Sequence, residues 1–204
     1  FGLQIYGDFA GYSDMARGVS RALGIELVEN FQHPYAAVNI TDFWRRWHVS
    51  LSQWLRDYLY IPLGGNRGGT WRTYRNLLLT MLLGGLWHGA SWTFVVWGAL
   101  HGVGLALHKF FAGRGGRGAR DLASGSSYPA ARVAGWFATA CFVWLAWVFF
   151  RAPDLGSAVS VVARIVGGPL AVDSHDLYTV GLCTGVLLSV DLPQYLGRDH
   201  CAVL

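Results

Sequence analysis

From Leu77 to Leu107 the chain carries no Asp, Glu, Lys or Arg, and the only ionisable side chains in that run are His88 and His101. A stretch this apolar needs a bilayer or a deep core around it. One crossing takes roughly 20 residues, so the run is too long for a single span, and Gly84-Gly85 and Gly89 divide it. The first piece, about 76–88, is too short to cross and reads as re-entrant or buried. The second, about 91–110, is long enough to span. His88 then lies at the break, in Gly84-Gly85-Leu86-Trp87-His88-Gly89-Ala90-Ser91-Trp92. An ionisable group at membrane depth is costly and is by default a candidate functional group. Imidazole changes charge near neutral pH, which suits it to proton transfer.

The rest of the chain agrees with a membrane setting. Of 204 residues, 53% are hydrophobic, ten are Trp, and only 14% are charged, against about 25% in a soluble domain. The net charge of +4 sits mostly in short connections (Arg67, Arg72, Arg75; Lys109, Arg114, Arg117, Arg120, Arg132), where it meets anionic headgroups. No basic module interleaved with aromatics is present, so nucleic acid is not an expected partner. Cys141, Cys183 and Cys201 have no metal-ligand spacing. The chain opens on Phe1 with no signal-peptide pattern. It reads as a single membrane domain over 1–204, the C-terminal part of a larger fold whose upstream helices are missing.

Along the chain, residues 1–24 read as the end of a membrane helix with polar inserts. Asp8 and Asp14 are its buried-carboxylate candidates, with Arg17 or Arg21 as partners. A connection over 25–40 contains His33-Pro34. A helix is expected over about 42–60, capped by Thr41 or Asp42 and ended by Pro62 and Gly64-Gly65. At helical periodicity Trp44, Trp47, His48, Leu51, Trp54, Leu55 and Tyr58 share one face, with Arg46, Gln53 and Asp57 opposite. Such a helix lies in the interface plane or packs across others, with His48 near the centre of its apolar face. Gly64–Gly69 reads as a flexible basic turn that matches no phosphate-cradling pattern. A flexible Gly/Arg/Ser-rich loop is expected at 113–130, the clearest transmembrane helix at Val133–Phe150, a small aliphatic segment at 155–167 and a further helix at Leu177–Val190. Arginines occur on several connections, so orientation stays open.

Two histidines, His48 and His88, therefore sit on apolar segments forty residues apart, and an antiparallel return brings them together. A buried imidazole stays neutral through desolvation and accepts a proton from an alcohol. A second imidazole orients the substrate or donates a hydrogen bond, an arrangement suited to moving an acyl group onto a hydroxyl. The competing reading, that both histidines only satisfy hydrogen bonds within a bundle, stays open on these grounds. A metal needs three or four ligands, and none is expected here. His101 reads as polar packing and His108 as an interfacial side chain. The tryptophans read as belt and packing residues, with Trp87, Trp92 and Trp44 as candidates for lining a substrate passage.

Four ordered segments carry a resemblance. They are Asp8–Ala16 (DFAGYSDMA), Asn39–Ser52 (NITDFWRRWHVSLS), Trp54–Arg67 (WLRDYLYIPLGGNR) and Leu82–Trp92 (LLGGLWHGASW). Together they strongly resemble the membrane-bound O-acyltransferase family, nearest its alginate O-acetyltransferase branch. The resemblance covers about 1–110 closely and the remainder only by hydropathy. It implies an all-α polytopic membrane bundle with short re-entrant and interfacial helices, and an enzyme that moves an acyl group from a thioester donor to a hydroxyl. The residue matching His88 would be catalytic, and that matching His48 the second active-site histidine. The expected reaction is O-acetylation of an exported polysaccharide at the bacterial inner or plasma membrane. No cofactor is expected to be bound; acetyl-CoA or an acylated carrier would serve as co-substrate, and acetyl-relay proteins as partners. The alternatives are D-alanyl transfer to teichoic acid, which the Tyr60–Arg67 segment disfavours, and a non-catalytic scaffold or lipid-binding subunit.

Overall fold

The structure is a computed structural model and describes residues 1–114, 129–168, 178–182, 184–185 and 188–189. The chain divides into two units, Phe1–Leu27 with Ala163–Leu204, and Val28–Val162. No strand occurs among the described residues; an isolated bridge joins Phe31 to Trp47.

The first unit opens with α1, Gly2–Ala22. Its buried residues, Tyr6, Ser13 and Ser20, recur every seventh position and so form one stripe. Asp8 and Asp14 fall off that stripe and are exposed, which corrects the expectation of buried carboxylates. Asp14 does pair with Arg17, at 3.2 Å. Of the helix expected at 177–190, residues 178–182, 184–185 and 188–189 are helical and the remainder lies outside the described residues.

The second unit holds the candidate site. Pro34–Ala36 forms a single 3₁₀ turn, and α2 follows at Ile40–Arg46. Asn39, rather than Thr41 or Asp42, caps α2: its Oδ1 accepts from the Asp42 amide at 2.8 Å. Asp42 instead pairs with Arg46 one turn on, at 2.8 Å. The single helix expected over 42–60 is three pieces. The backbone is extended at Trp47 and left-handed at His48 (φ 44°). It then resumes as α3, Val49–Leu55, and widens into a π-helical turn at Arg56–Tyr60. The cause is residues 30–32, which pair with the break. Gln32 N donates to Arg46 O and Val49 N to Asn30 O, both at 3.0 Å. Trp54 and Tyr58, placed by periodicity on the buried face, are exposed.

Helices α4, Thr70–His88, and α5, Trp92–Arg114, form a hairpin with only Gly89-Ala90-Ser91 between them. The chain turns at Gly89 as expected, but Gly84-Gly85 does not interrupt α4. The piece expected at 76–88 is thus a helix of 19 residues, about 28 Å long. The glycines serve contact instead. A Cβ on Gly85 would collide with the carbonyl of Phe94, and one on Gly98 with the carbonyl of Met81. The two backbones touch, as small residues allow between membrane helices.

Helix α6, Pro129–Arg151, packs on α5 where Gly104 faces the Phe142 ring. Trp136 Nε1 of α6 donates to Tyr35 O at 2.8 Å. Asp154 ends the connection and caps α7, Leu155–Gly167, by accepting from Ser157 N at 2.9 Å and Ser157 Oγ at 2.8 Å. Trp92–Gly113 and Pro129–Arg151 are long and apolar enough to cross a membrane. Of the loop expected at 113–130, residues 115–128 lie outside the described residues, and its ends belong to α5 and α6.

Candidate active site

His88 is the last residue of α4. Its ring is walled by aromatics from three helices. Trp87 lies at 5.0 Å between centroids, Trp97 at 5.3 Å and perpendicular, and Phe150 at 5.0 Å. Phe94 stands at 6.2 Å. Gly89 makes this possible, because a Cβ there would strike the Phe94 ring. Trp97 is itself fully buried and stacks on Trp147, so the wall is fixed by the core behind it.

His48 is half-buried beside Phe31, with centroids 6.4 Å apart. A short relay reaches its ring. Asn30 Oδ1 accepts from the Ser50 amide at 3.0 Å and from Ser50 Oγ at 2.7 Å. Ser50 Oγ also lies 3.4 Å from His48 Nδ1. The proton positions follow from the partners. A backbone N–H only donates, so the Asn30 atom it meets is the amide oxygen, and the single Ser50 hydroxyl proton is directed to that oxygen. Ser50 Oγ then presents a lone pair toward His48 Nδ1, which suits the tautomer with its proton there.

Both imidazoles lie outside the two membrane-length helices. Burial, and then the charge of His88, push His48 down to about 4 from the ordinary 6.5. Burial also lowers His88. The influence of His88 on His48 puts the two in one electrostatic neighbourhood, and both are neutral at pH 7. A folded state with a depressed imidazole pKa binds fewer protons than the unfolded chain between about 6.5 and 4. Stability present above pH 6.5 is therefore lost as pH falls through that window. Activity that needs both imidazoles neutral should therefore show its acid limb below the ordinary 6.5, since both are shifted down. A pH–rate profile on the reconstituted full-length protein checks this, and an acid limb centred at 6.5 would contradict it.

The other singled-out residues fall as follows. His101, with 0% of its surface exposed, accepts at Nδ1 from Trp44 Nε1 at 3.2 Å. It is polar packing, as its place in the sequence indicates. His108 does not reach for an interface: its Nδ1 pairs with Thr41 Oγ1 at 2.9 Å, joining α5 to α2. Trp44 is buried and borders a cleft of about 410 Å³ with Leu55, Thr80 and Met81. Trp87 and Trp92 are 60% and 73% exposed, and neither borders that cleft. No group of three or more metal-ligating side chains occurs among the described residues. Asn30 and Ser50 carried no signal of their own: Asn30 lies 18 residues from His48, and only the fold joins them.

Among the described residues the unit is helical, and one of its two singled-out imidazoles stands at the turn of an apolar hairpin. A sequence model of the membrane-bound O-acyltransferase (MBOAT) family matches residues 2–151, and the chain belongs to that family. It is 53% identical over 162 residues to a probable alginate O-acetylase AlgI of Azotobacter vinelandii, covering 79% of this chain and 30% of that protein. It is 44% identical over 198 residues to a peptidoglycan O-acetyltransferase of Helicobacter pylori, covering 97% of this chain and 34% of that protein. A teichoic acid D-alanyltransferase of Bacillus subtilis is 36% identical over 123 residues, covering 54% of this chain and 30% of that protein. The chain thus spans about a third of the length of these relatives.

Proposed function

We propose that the protein is an O-acyltransferase of the bacterial inner membrane, multi-pass, that moves an acetyl group from a thioester donor to a hydroxyl of an exported polysaccharide. What supports this reading is His88, enclosed by Phe94, Trp97 and Phe150 at the tip of the α4–α5 hairpin, in a chain of the MBOAT family whose relatives include an O-acetyltransferase. Acetyl-CoA or an acylated carrier supplies the thioester, and relay proteins carry the acetyl group onward.

In the reaction His88 takes the proton of the attacking hydroxyl as its oxygen bonds to the thioester carbonyl carbon. The carbon–sulfur bond breaks, and the departing thiolate receives the proton from the imidazolium. The aromatic wall around His88 keeps bulk water from the thioester. His48, its lone pair on Nε2, accepts a hydrogen bond from the hydroxyl and aims it. The Asn30–Ser50 relay also favours a second reading in which the roles are exchanged, since a base oriented by a third group is the usual form of an activating pair.

The relay has its own test. Ser50→Ala should lower kcat about tenfold, the order of loss when a group that orients an imidazole is removed, with KM unchanged and with Ser50→Thr restoring the rate. Equal rates in Ser50→Ala and wild type would remove the relay from function. The activity itself is tested by the acetyl content of extracellular polysaccharide in cells lacking the gene and in cells complemented with the full-length protein. Unchanged acetylation on deletion would turn the search to D-alanyl transfer.

A further inference from the structure

A cavity of about 270 Å³ opens beside the start of α4, at the opposite end of that helix from His88. It is lined by Leu63, Gly64, Gly68, Asn76 and three arginines, Arg67, Arg72 and Arg75. Among the described residues no carboxylate pairs with any of the three. All three are exposed to solvent, and guanidinium groups gathered around one space raise a positive potential that favours an anion among them.

The surroundings fix the turn and one of these guanidinium groups, that of Arg75. Asn76, 1% exposed, donates from Nδ2 to the carbonyls of Leu63 (3.0 Å) and Gly65 (3.1 Å), which pins the turn. Its Oδ1 accepts from Arg75 Nε at 3.2 Å and Nη2 at 2.9 Å, which orients that guanidinium. Gly64 and Gly65 take positive φ (105° and 52°), as so tight a turn requires. A side chain at Gly68 would collide with that of Arg72, so glycine lets Arg72 lie over the loop. The first turn of α4 has no acidic residue and no capping side chain, so its amide groups add positive potential on the same side. A planar fork of donors matches the oxygens of a phosphate group.

We propose that this basket binds a phosphoryl group. Two sources share that chemistry: the headgroup of an anionic phospholipid, and the phosphate of a soluble thioester donor built on coenzyme A or a phosphopantetheine arm. The lipid source stands without the acyl-transfer reading, whereas the soluble-donor source rests on it.

The test uses the full-length protein in detergent, by native mass spectrometry and calorimetry. In one arm phosphatidylglycerol is compared with diacylglycerol, and in the other coenzyme A with pantetheine. Each pair differs in the phosphate-bearing part, and comparison in the wild type needs no variant to fold. The expected result is at least tenfold tighter binding of the phosphorylated member in one arm. Arg72→Gln/Arg75→Gln, and separately Arg67→Gln, should lose that preference, while Arg132→Gln on α6 keeps it. Preference in the first arm assigns a lipid, and in the second a soluble donor. No preference in either arm overturns the site. So does an equal loss in Arg132→Gln, which would mean that only general surface charge is at work.

Discussion

Replacing His88 by glutamine in the full-length protein is expected to lower acyl transfer by about 10²–10⁴-fold, the range for loss of a general base. Glutamine keeps most of the volume and a hydrogen-bonding end but cannot take a proton at pH 7. The walls of Trp97 and Phe150 are anchored in the core through Trp147, so they should survive the change. The variant should therefore reach the membrane at wild-type levels and retain its unfolding midpoint. The measurement is acyl transfer per mole of protein in reconstituted vesicles, with His48→Gln alongside. A His88→Gln protein that keeps a tenth or more of the wild-type rate, beside a dead His48→Gln, would give the base to His48. Wild-type activity in both would remove both imidazoles from the chemistry, and no transfer by the wild type itself would leave the scaffold reading standing.

The second large effect falls on folding. Gly85→Ala and Gly98→Ala each put a methyl group into a backbone carbonyl of the facing helix, Phe94 and Met81 respectively. A flexible side chain turns aside from such a clash, but a helical carbonyl is held by its own hydrogen bond. The helices must therefore separate, at a cost of about 1–3 kcal/mol for an overpacked contact, and more for leucine. Thermal unfolding in detergent reads this as a lowered midpoint. Gly18→Ala on α1, where nothing lies within 4 Å of the added atom, is the control. It should be neutral or stabilising, because alanine is favoured over glycine in a helix by about 1 kcal/mol. Unchanged midpoints for the two interface variants would mean that α4 and α5 do not touch at these glycines.

The same glycines show what could be read from the chain beforehand. Hydropathy marked both membrane-length helices, because an apolar run of that length has few other uses. Gly84-Gly85 was ambiguous, since glycine both interrupts helices and lets them meet, and only the facing Phe94 decides between these. The break at His48 was illegible for a different reason. Its aromatic residues keep helical spacing through position 58, and the interruption is imposed by Asn30 and Gln32 from upstream. Periodicity describes a segment alone and cannot register a partner. His48 and His88 stand out in the sequence by their apolar surroundings, but the Asn30–Ser50 contacts beside His48 do not, because only the fold joins them.

The α4–α5 hairpin, closed by three residues, also sets a sequence of events in time. Contacts between neighbours along the chain cost little closure entropy, whereas distant ones cost more and form later. His88 is thus carried into place at the tip of a structure that assembles locally, with Trp87, Phe94 and Trp97 already beside it. Phe150, from the far end of α6, arrives last and shuts the remaining side. Synthesis from the N-terminus imposes the same order, so the Phe150 side of the imidazole stays open until α6 has been delivered.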